Sequence, residues 1–347
     1  MVVSPVFSIY RIGTDTALIR KTFMNNLITV ARHLPITPAT PAISVSCVTL
    51  AAPSRGLALE LRVSAPTTGR DLPVVLLSHG HGPSLYIPSK DGYGPLVNFL
   101  AEHGFVVIQP THLNSKVAGL PADAPGGPLF WRSRVEDMKL ILDRLDQIEE
   151  QVPFLAGRLS PTRIAAIGHS LGAQTVGMLL GARLTDPNDA GAIDVDLIEP
   201  RIKAGVLLAA PGNGGADLSA YAAEHYSALN PDFAAMVTPA LVVAGDSDIS
   251  PHLTVRGADW HADPYHCSPA GKWLLTLTGA GHGLGGIAGY DAAETDDENP
   301  ERQAVALRMT WAYLRSALDA SDPAWTQACA ALQEHAGTQG AVEGPSA

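Results

Sequence analysis

Charge is scarce in this 347-residue chain: only 16% of its residues are Asp, Glu, Lys or Arg, against about a quarter in an ordinary soluble protein. With 46% hydrophobic residues, the chain has ample material for a core, which excludes disorder over most of its length. Basic residues are scarcer still. Lys and Arg number 23 against 34 Asp and Glu, a net charge of −11. No basic stripe is present to neutralise phosphates, so nucleic acid is excluded as an expected partner. Cysteine is nearly absent. Cys47, Cys267 and Cys329 cannot all pair, and their spacing matches no zinc pattern. Long apolar runs are missing too. The longest, such as Pro73–Leu77 and Gly205–Ala210, are strand-sized and fall far short of the roughly 18 residues of a membrane span. A cytoplasmic location is therefore expected. Arg11, Arg20 and Lys21 ahead of Phe23–Ala31 imitate a secretory leader, which is the weaker alternative because Asn25, Asn26 and Arg32 break its apolar region. Met24 is an alternative start.

Strand-like and helix-like stretches alternate, which predicts an α/β fold with a mainly parallel sheet covered on both faces. Ile43–Leu50 and Leu57–Val63 read as an opening hairpin. Pro73–Leu77, Phe105–Gln109, Arg163–Ile167, Ala204–Ala209, Ala240–Ala244 and Trp273–Thr278 read as buried strands, eight in all. Val135, Met138, Ile141, Leu142, Leu145 and Ile148 recur at spacings of three and four, with Glu136, Lys139, Asp143 and Asp146 on the other face of one helix. Asn299 and Pro300 form an N-cap and first-turn pair for another, carrying Leu307, Trp311, Leu314 and Leu318. Residues 1–42 are expected to be a partly ordered extension, 43–335 a single catalytic domain, and 336–347, rich in Gly, Ser and Ala, a flexible tail. Pro211–Pro239 has room for about one helix, so no large cap domain is expected.

The chemistry concentrates in one motif. The strand Arg163–Ile167 runs into Gly168-His169-Ser170-Leu171-Gly172, followed by the helix-like Ala173–Arg183. This is G-x-S-x-G between strand and helix, a sharp turn that lifts a serine hydroxyl above the sheet edge. Ser170 is the expected nucleophile. The Leu171 N–H, at the helix start, is an expected donor to developing negative charge. A serine also needs a base and an orienting acid, in the chain order Ser, Asp/Glu, His. The seventh strand is followed by Gly245-Asp246-Ser247-Asp248, and the eighth by Gly279-Ala280-Gly281-His282. His282 is thus the expected base, with Asp246 and Asp248 both open as the acid. The third strand enters Ser78-His79-Gly80-His81-Gly82, where the backbone N–H of His81 is the expected second oxyanion donor.

Together, His79-Gly80-His81, Gly168–Gly172, Gly245–Asp248 and Gly281-His282 resemble the α/β-hydrolase superfamily over about Ile43–Leu318. Leu77-Ser78-His79-Gly80, with Arg134 and Asp137 opening the Val135–Ile148 helix, is similar to the dienelactone-hydrolase, chlorophyllase and platelet-activating-factor acetylhydrolase-like branch. His81 departs from that branch, where an apolar residue is commoner. The resemblance implies cofactor-free hydrolysis of carboxylic esters or lactones by a Ser170–Asp248–His282 triad. Asp248 is chosen because Gly245, Asp248 and Pro251 match the Gly-x-x-Asp-x-x-Pro setting of the family's acid. The partner implied is a small-molecule ester or lactone, neutral rather than anionic given the net charge. Amide or carbon–carbon bond hydrolysis on the same triad is the nearer alternative, and a non-catalytic ligand-binding member of the fold the farther one.

Three other clusters read as non-functional. Gly281–Gly286 satisfies G-x-G-x-x-G but follows the last strand rather than opening an early βαβ unit, so no dinucleotide is expected. His261, Asp263, His266 and Cys267 lack a metal-ligand spacing and are interrupted by Pro264, so no metal is expected. The acidic Asp291–Glu298 lacks the spaced ligands of an EF-hand and reads as a solvated loop. Tyr86, Tyr93 and Trp131 are as readily packing residues as substrate walls.

Overall fold

A computed structural model of the chain describes residues 28–121, 123–289 and 297–345. The leader-like residues up to 27 and most of the acidic 291–298 stretch lie outside the described residues.

An antiparallel hairpin opens the sheet, β1 (Ala42–Leu50) with β2 (Leu59–Pro66). β3 (Leu72–Ser78), α1 (Gly94–Glu102) and β4 (Val106–Pro110) follow, then α2 (Trp131–Asp143) and α3 (Leu145–Gln151). β5 (Leu159–His169) leads directly into α4 (Leu171–Leu179). Next come β6 (Arg183–Leu184), β7 (Ile202–Leu208), α5 (Ala220–His225), β8 (Pro231–Asp232), β9 (Ala240–Gly245), α6 (Asp263–His266) and β10 (Lys272–Leu277). α7 (Pro300–Leu318), α8 (Ala324–His335) and β11 (Gly340–Glu343) end the chain. Asn299 caps α7 as its position before Pro300 predicts, its side chain accepting from the Arg302 N–H.

The main sheet has the order β1-β2-β4-β3-β5-β7-β9-β10-β11, with β4 through β10 mutually parallel. Alternation along its buried strands divides the core. Val74 and Leu76 pack with α2 and α4, whereas Val75 and Leu77 pack with α1, α7 and the N-terminal residues Ala31 and Leu34. β3 connects onward to β4 on one side and its neighbour β5 to β7 on the other, so the connections leave this pair of strands in opposite directions. That makes the carboxyl ends of β3 and β5 a topological switch point, where parallel sheets open a crevice. Residues 209–239 contain one α-helix, α5, and the short strand β8 paired with β6, so among the described residues no large cap covers the crevice.

One expectation is corrected. Among the described residues the sheet has nine strands rather than eight, because part of the supposed tail is an edge strand. Gly340–Glu343 pairs antiparallel with β10, from Leu277↔Gly340 to Leu274↔Glu343. A Cβ at position 340 would crowd the Thr276 carbonyl at 2.5 Å, so the glycine that suggested looseness is what admits the close approach. Tyr265 Oη donates to the Gly344 carbonyl at 2.5 Å, and Val342 packs against the core beneath α8.

Candidate active site

Ser170 sits between β5 and α4 at φ 54° and ψ −124°. Non-glycine residues rarely adopt positive φ, and the strain is held by the surrounding structure. The Ser170 N–H donates to the Leu208 carbonyl at 2.9 Å, and the Ala173 N–H to the Ser170 carbonyl at 2.8 Å. Glycine is required on both sides: a Cβ at Gly168 would overlap the Gly172 carbonyl, and one at Gly172 the Ser78 carbonyl. The elbow is thereby pressed against the end of β3. Leu171 begins α4, so its N–H is among the unpaired donors at a helix N-terminus.

The loops after β9 and β10 bring together a carboxylate and an imidazole. His282 Nδ1 lies 2.9 Å from Asp248 Oδ2, and Asp248 is 2% exposed. Burial pushes the Asp248 carboxyl up, but contacts with His261 and His282 outweigh it and hold the group well below the ordinary carboxylate range. Asp246 is exposed and turned elsewhere, its Oδ1 accepting from the Gly279 N–H at 2.6 Å and from Ser247 Oγ at 3.0 Å. With Nδ1 on the carboxylate, Nε2 of His282 is left as the basic ring atom.

The turn after β3 rests on a buried polar network. Arg134, fully buried, donates to Ser78 Oγ at 3.0 Å, to Thr175 Oγ1 at 2.9 Å and to the Gly80 carbonyl at 3.4 Å. It also reaches the His79 carbonyl and Asn114 Oδ1. Asn114 Nδ2 donates to the His81 carbonyl at 2.7 Å. Beneath them, Ser78 Oγ is 3.0 Å from His112 Nε2, and His112 Nδ1 is 2.8 Å from Asp137 Oδ2. This is a second Ser–His–Asp chain, but all three members are buried. Its hydroxyl accepts from Arg134, so it braces the turn rather than facing a substrate. Burial raises the Asp137 carboxyl to about 7 against the pull of Arg55 and Arg134.

A further chain of bonds, which sequence reasoning did not find, joins this turn to the elbow and the His282 loop. The Gly80 N–H donates to Tyr93 Oη at 3.1 Å, Tyr93 Oη is 2.8 Å from His169 Nδ1, and His169 Nε2 is 2.8 Å from the His282 carbonyl. A carbonyl only accepts, so Nε2 of His169 carries the proton and Nδ1 accepts from the tyrosine hydroxyl. Burial first, then the neighbouring His282, lowers the His169 pKa to about 3, which keeps that ring neutral. Gly80 has its N–H engaged. The His81 and Leu171 N–H groups donate no hydrogen bond among the described residues.

These residues border one cavity of about 510 Å³, lined by Ser170, Leu171, His81, Asp248 and His282 together with apolar side chains such as Leu229 and Leu253. That volume suits a small-molecule ligand. The His81 ring lines the cavity, 6.0 Å edge-on from Tyr226. Tyr93 lines it as well; Tyr86 is 90% exposed, and Trp131 donates to Asp186 Oδ2 at 3.2 Å outside it.

The remaining clusters are bonded largely within the chain. Gly281 and Gly285 both donate their N–H groups to Asp297 Oδ2, at 2.8 and 3.1 Å, so the glycine loop cradles a carboxylate of this chain. Asp263 takes Arg256 Nη1 at 2.8 Å and the Asn213 N–H at 2.9 Å, while Cys267 accepts from Asn213 Nδ2 at 3.3 Å. Of that cluster, His261 and Asp263 are buried, and His261 is the member that lies against Asp248. Asp248, His261 and His282 offer ligand atoms within 4.8 Å of one another; His282 Nδ1 is hydrogen-bonded to the carboxylate, and His261 Nε2 stands 3.2 Å from it. Among the described residues, no helix is long and apolar enough to cross a membrane.

Compared with curated proteins, the chain has no match. The parallel sheet, the serine at a strained strand-to-helix turn and the His–Asp contact from the last two parallel strands agree with the family match: over residues 74–344 the chain matches the alpha/beta hydrolase family, and it belongs to that family.

Proposed function

We propose that this alpha/beta hydrolase cleaves neutral carboxylic esters or lactones through an acyl-enzyme on Ser170. The observation that carries the reading is the convergence on one cavity of the elbow serine and the His282–Asp248 pair, 2.9 Å apart. In this reading Ser170 Oγ attacks the acyl carbon and its proton passes to His282 Nε2. Asp248 fixes the tautomer and stabilises the imidazolium that forms. The N–H groups of His81 and Leu171 receive the oxyanion. Collapse breaks the acyl–oxygen bond, and His282 returns the proton to the leaving alcohol. Water then attacks the acyl-enzyme, losing a proton to His282, and Ser170 recovers its hydrogen as the acid departs. Leu229 and Leu253 in the cavity wall suit an apolar substrate portion, and the net charge of −11 disfavours anionic esters.

A fluorophosphonate probe tests the reading. Displacement of fluoride by Ser170 Oγ should leave a phosphonyl adduct on the peptide containing that residue, detected by mass spectrometry. An unlabelled protein would instead be a ligand-binding member of the fold. In the same preparation, turnover of a soluble ester should be unchanged by EDTA, because the proposed proton path uses side chains alone. Loss with EDTA and recovery with a divalent ion would overturn the mechanism.

A further inference from the structure

Most polar side chains around the Ser170 cavity are already bonded within the protein. Ser89 Oγ lies 2.7 Å from Ser115 Oγ, Ser247 Oγ donates to Asp246 Oδ1 at 3.0 Å, and Ser250 Oγ donates to Asp248 Oδ1 at 3.4 Å. Ser84 Oγ accepts the Tyr86 and Ile87 N–H groups. The rings of His79 and His169 are bonded at both nitrogens. His81 differs. Its half-buried ring lines the cavity, packs edge-on against Tyr226 at 6.0 Å, and makes no hydrogen bond among the described residues. His252 also lines the cavity, but it is exposed, where water competes for its ring.

Burial first, then Arg134 and Lys116, lower the His81 pKa. The ring is therefore neutral at neutral pH and holds one N–H and one bare nitrogen. A hydroxyl satisfies either atom, accepting from the one or donating to the other, whereas a methylene satisfies neither. The base of the ring is fixed. The His81 carbonyl accepts from Asn114 Nδ2 at 2.7 Å, and the Gly82 carbonyl from the Lys116 N–H at 3.0 Å. The ring hangs from the residue whose backbone N–H is assigned to the oxyanion, so it meets the part of a substrate beside the reacting ester rather than a remote end.

We infer that His81 is a specificity-determining residue, whose neutral imidazole selects esters that carry a hydroxyl beside the ester group. This rests on the ester-hydrolase reading above and narrows its substrate class. Matched pairs test it: ethyl 2-hydroxybutyrate against ethyl butyrate for a hydroxyl on the acyl side, and 2-hydroxyethyl butyrate against propyl butyrate for one on the alcohol side. In each pair the quantity read is the ratio of kcat/KM, hydroxylated over plain. In at least one pair, His81→Leu should lower that ratio about tenfold, the worth of one partly exposed hydrogen bond. His81→Gln, which keeps a donor and an acceptor, should retain most of it. Intrinsic reactivity of the two esters is the same in both proteins, and any disturbance of the backbone donor falls on both esters, so neither alters the comparison. Ratios that stay unchanged in the leucine variant overturn the inference. A second readout needs neither turnover nor a variant. The amide counterparts of the same two pairs are titrated into histidine-labelled protein and followed by nitrogen-15 spectra. At least one hydroxylated amide should bind about tenfold more tightly than its plain partner and shift the His81 ring nitrogens. Equal affinities in both pairs, or an unmoved His81, overturn the inference. Selective binding without cleavage of any ester would instead sink the esterase reading and leave the hydroxyl preference standing.

Discussion

Ser170→Ala should abolish ester turnover, by about 10⁶-fold in kcat, while the thermal transition stays close to that of the unmodified protein. The size of the effect follows from removing the atom that forms the covalent intermediate. Alanine keeps the Cβ and so neither relieves nor adds to the strain at φ 54°. The Leu208 and Ala173 backbone bonds that hold the turn do not involve the hydroxyl. Residual catalysis from the oxyanion donors and binding would remain, at about 10³-fold or more over water. Steady-state rates on a soluble ester, with circular-dichroism melting as the control, give the answer. Retention of more than about a hundredth of the activity would end the nucleophile assignment.

Asp248→Asn should cost about 10⁴-fold at neutral pH, as the same change does in the serine-protease triad that is the standard reference for this effect. An amide nitrogen presented to His282 Nδ1 donates where the carboxylate accepted, which forces the proton to Nε2 and removes the base from Ser170. Asp246→Asn is the matched control. Its Oδ1 accepts from the Gly279 N–H and Ser247 Oγ, and an asparagine carbonyl can do the same, so the expected loss is under about tenfold. A larger loss at position 246 than at 248 would contradict the assignment, although the Ser170–His282 reading would stand.

Local patterns located much of this arrangement in advance. Short runs of β-branched and leucine residues marked the parallel strands, since a strand buried on both faces must be apolar throughout. Gly168, Ser170 and Gly172 marked the elbow because the steric demand lies within five residues: any side chain at either glycine collides with backbone. His282 was legible because it directly follows the last parallel strand, and such ends line the crevice. Gly340–Glu343 misled because four residues carry too little periodicity to register as a strand. That segment is ordered by an edge of β10 lying more than sixty positions earlier in the chain.

Contacts between distant loops had no such signature. Apart from the family setting of Gly245, Asp248 and Pro251, nothing local separates Asp246 from Asp248, which stand two residues apart; the physical difference is which carboxylate meets an imidazole 34 residues away. His261 resembled a member of a loose His–Asp–Cys cluster until folding turned it alone toward Asp248. The Tyr93–His169 bond spans 76 residues and the His112–Asp137 bond 25. Order along the chain thus reveals chemistry whose constraint is a turn or a strand end. Which buried polar groups pair is decided only when the sheet brings its loops together, because each such group must find a partner once water is gone, and several residues of the right type were available for the role.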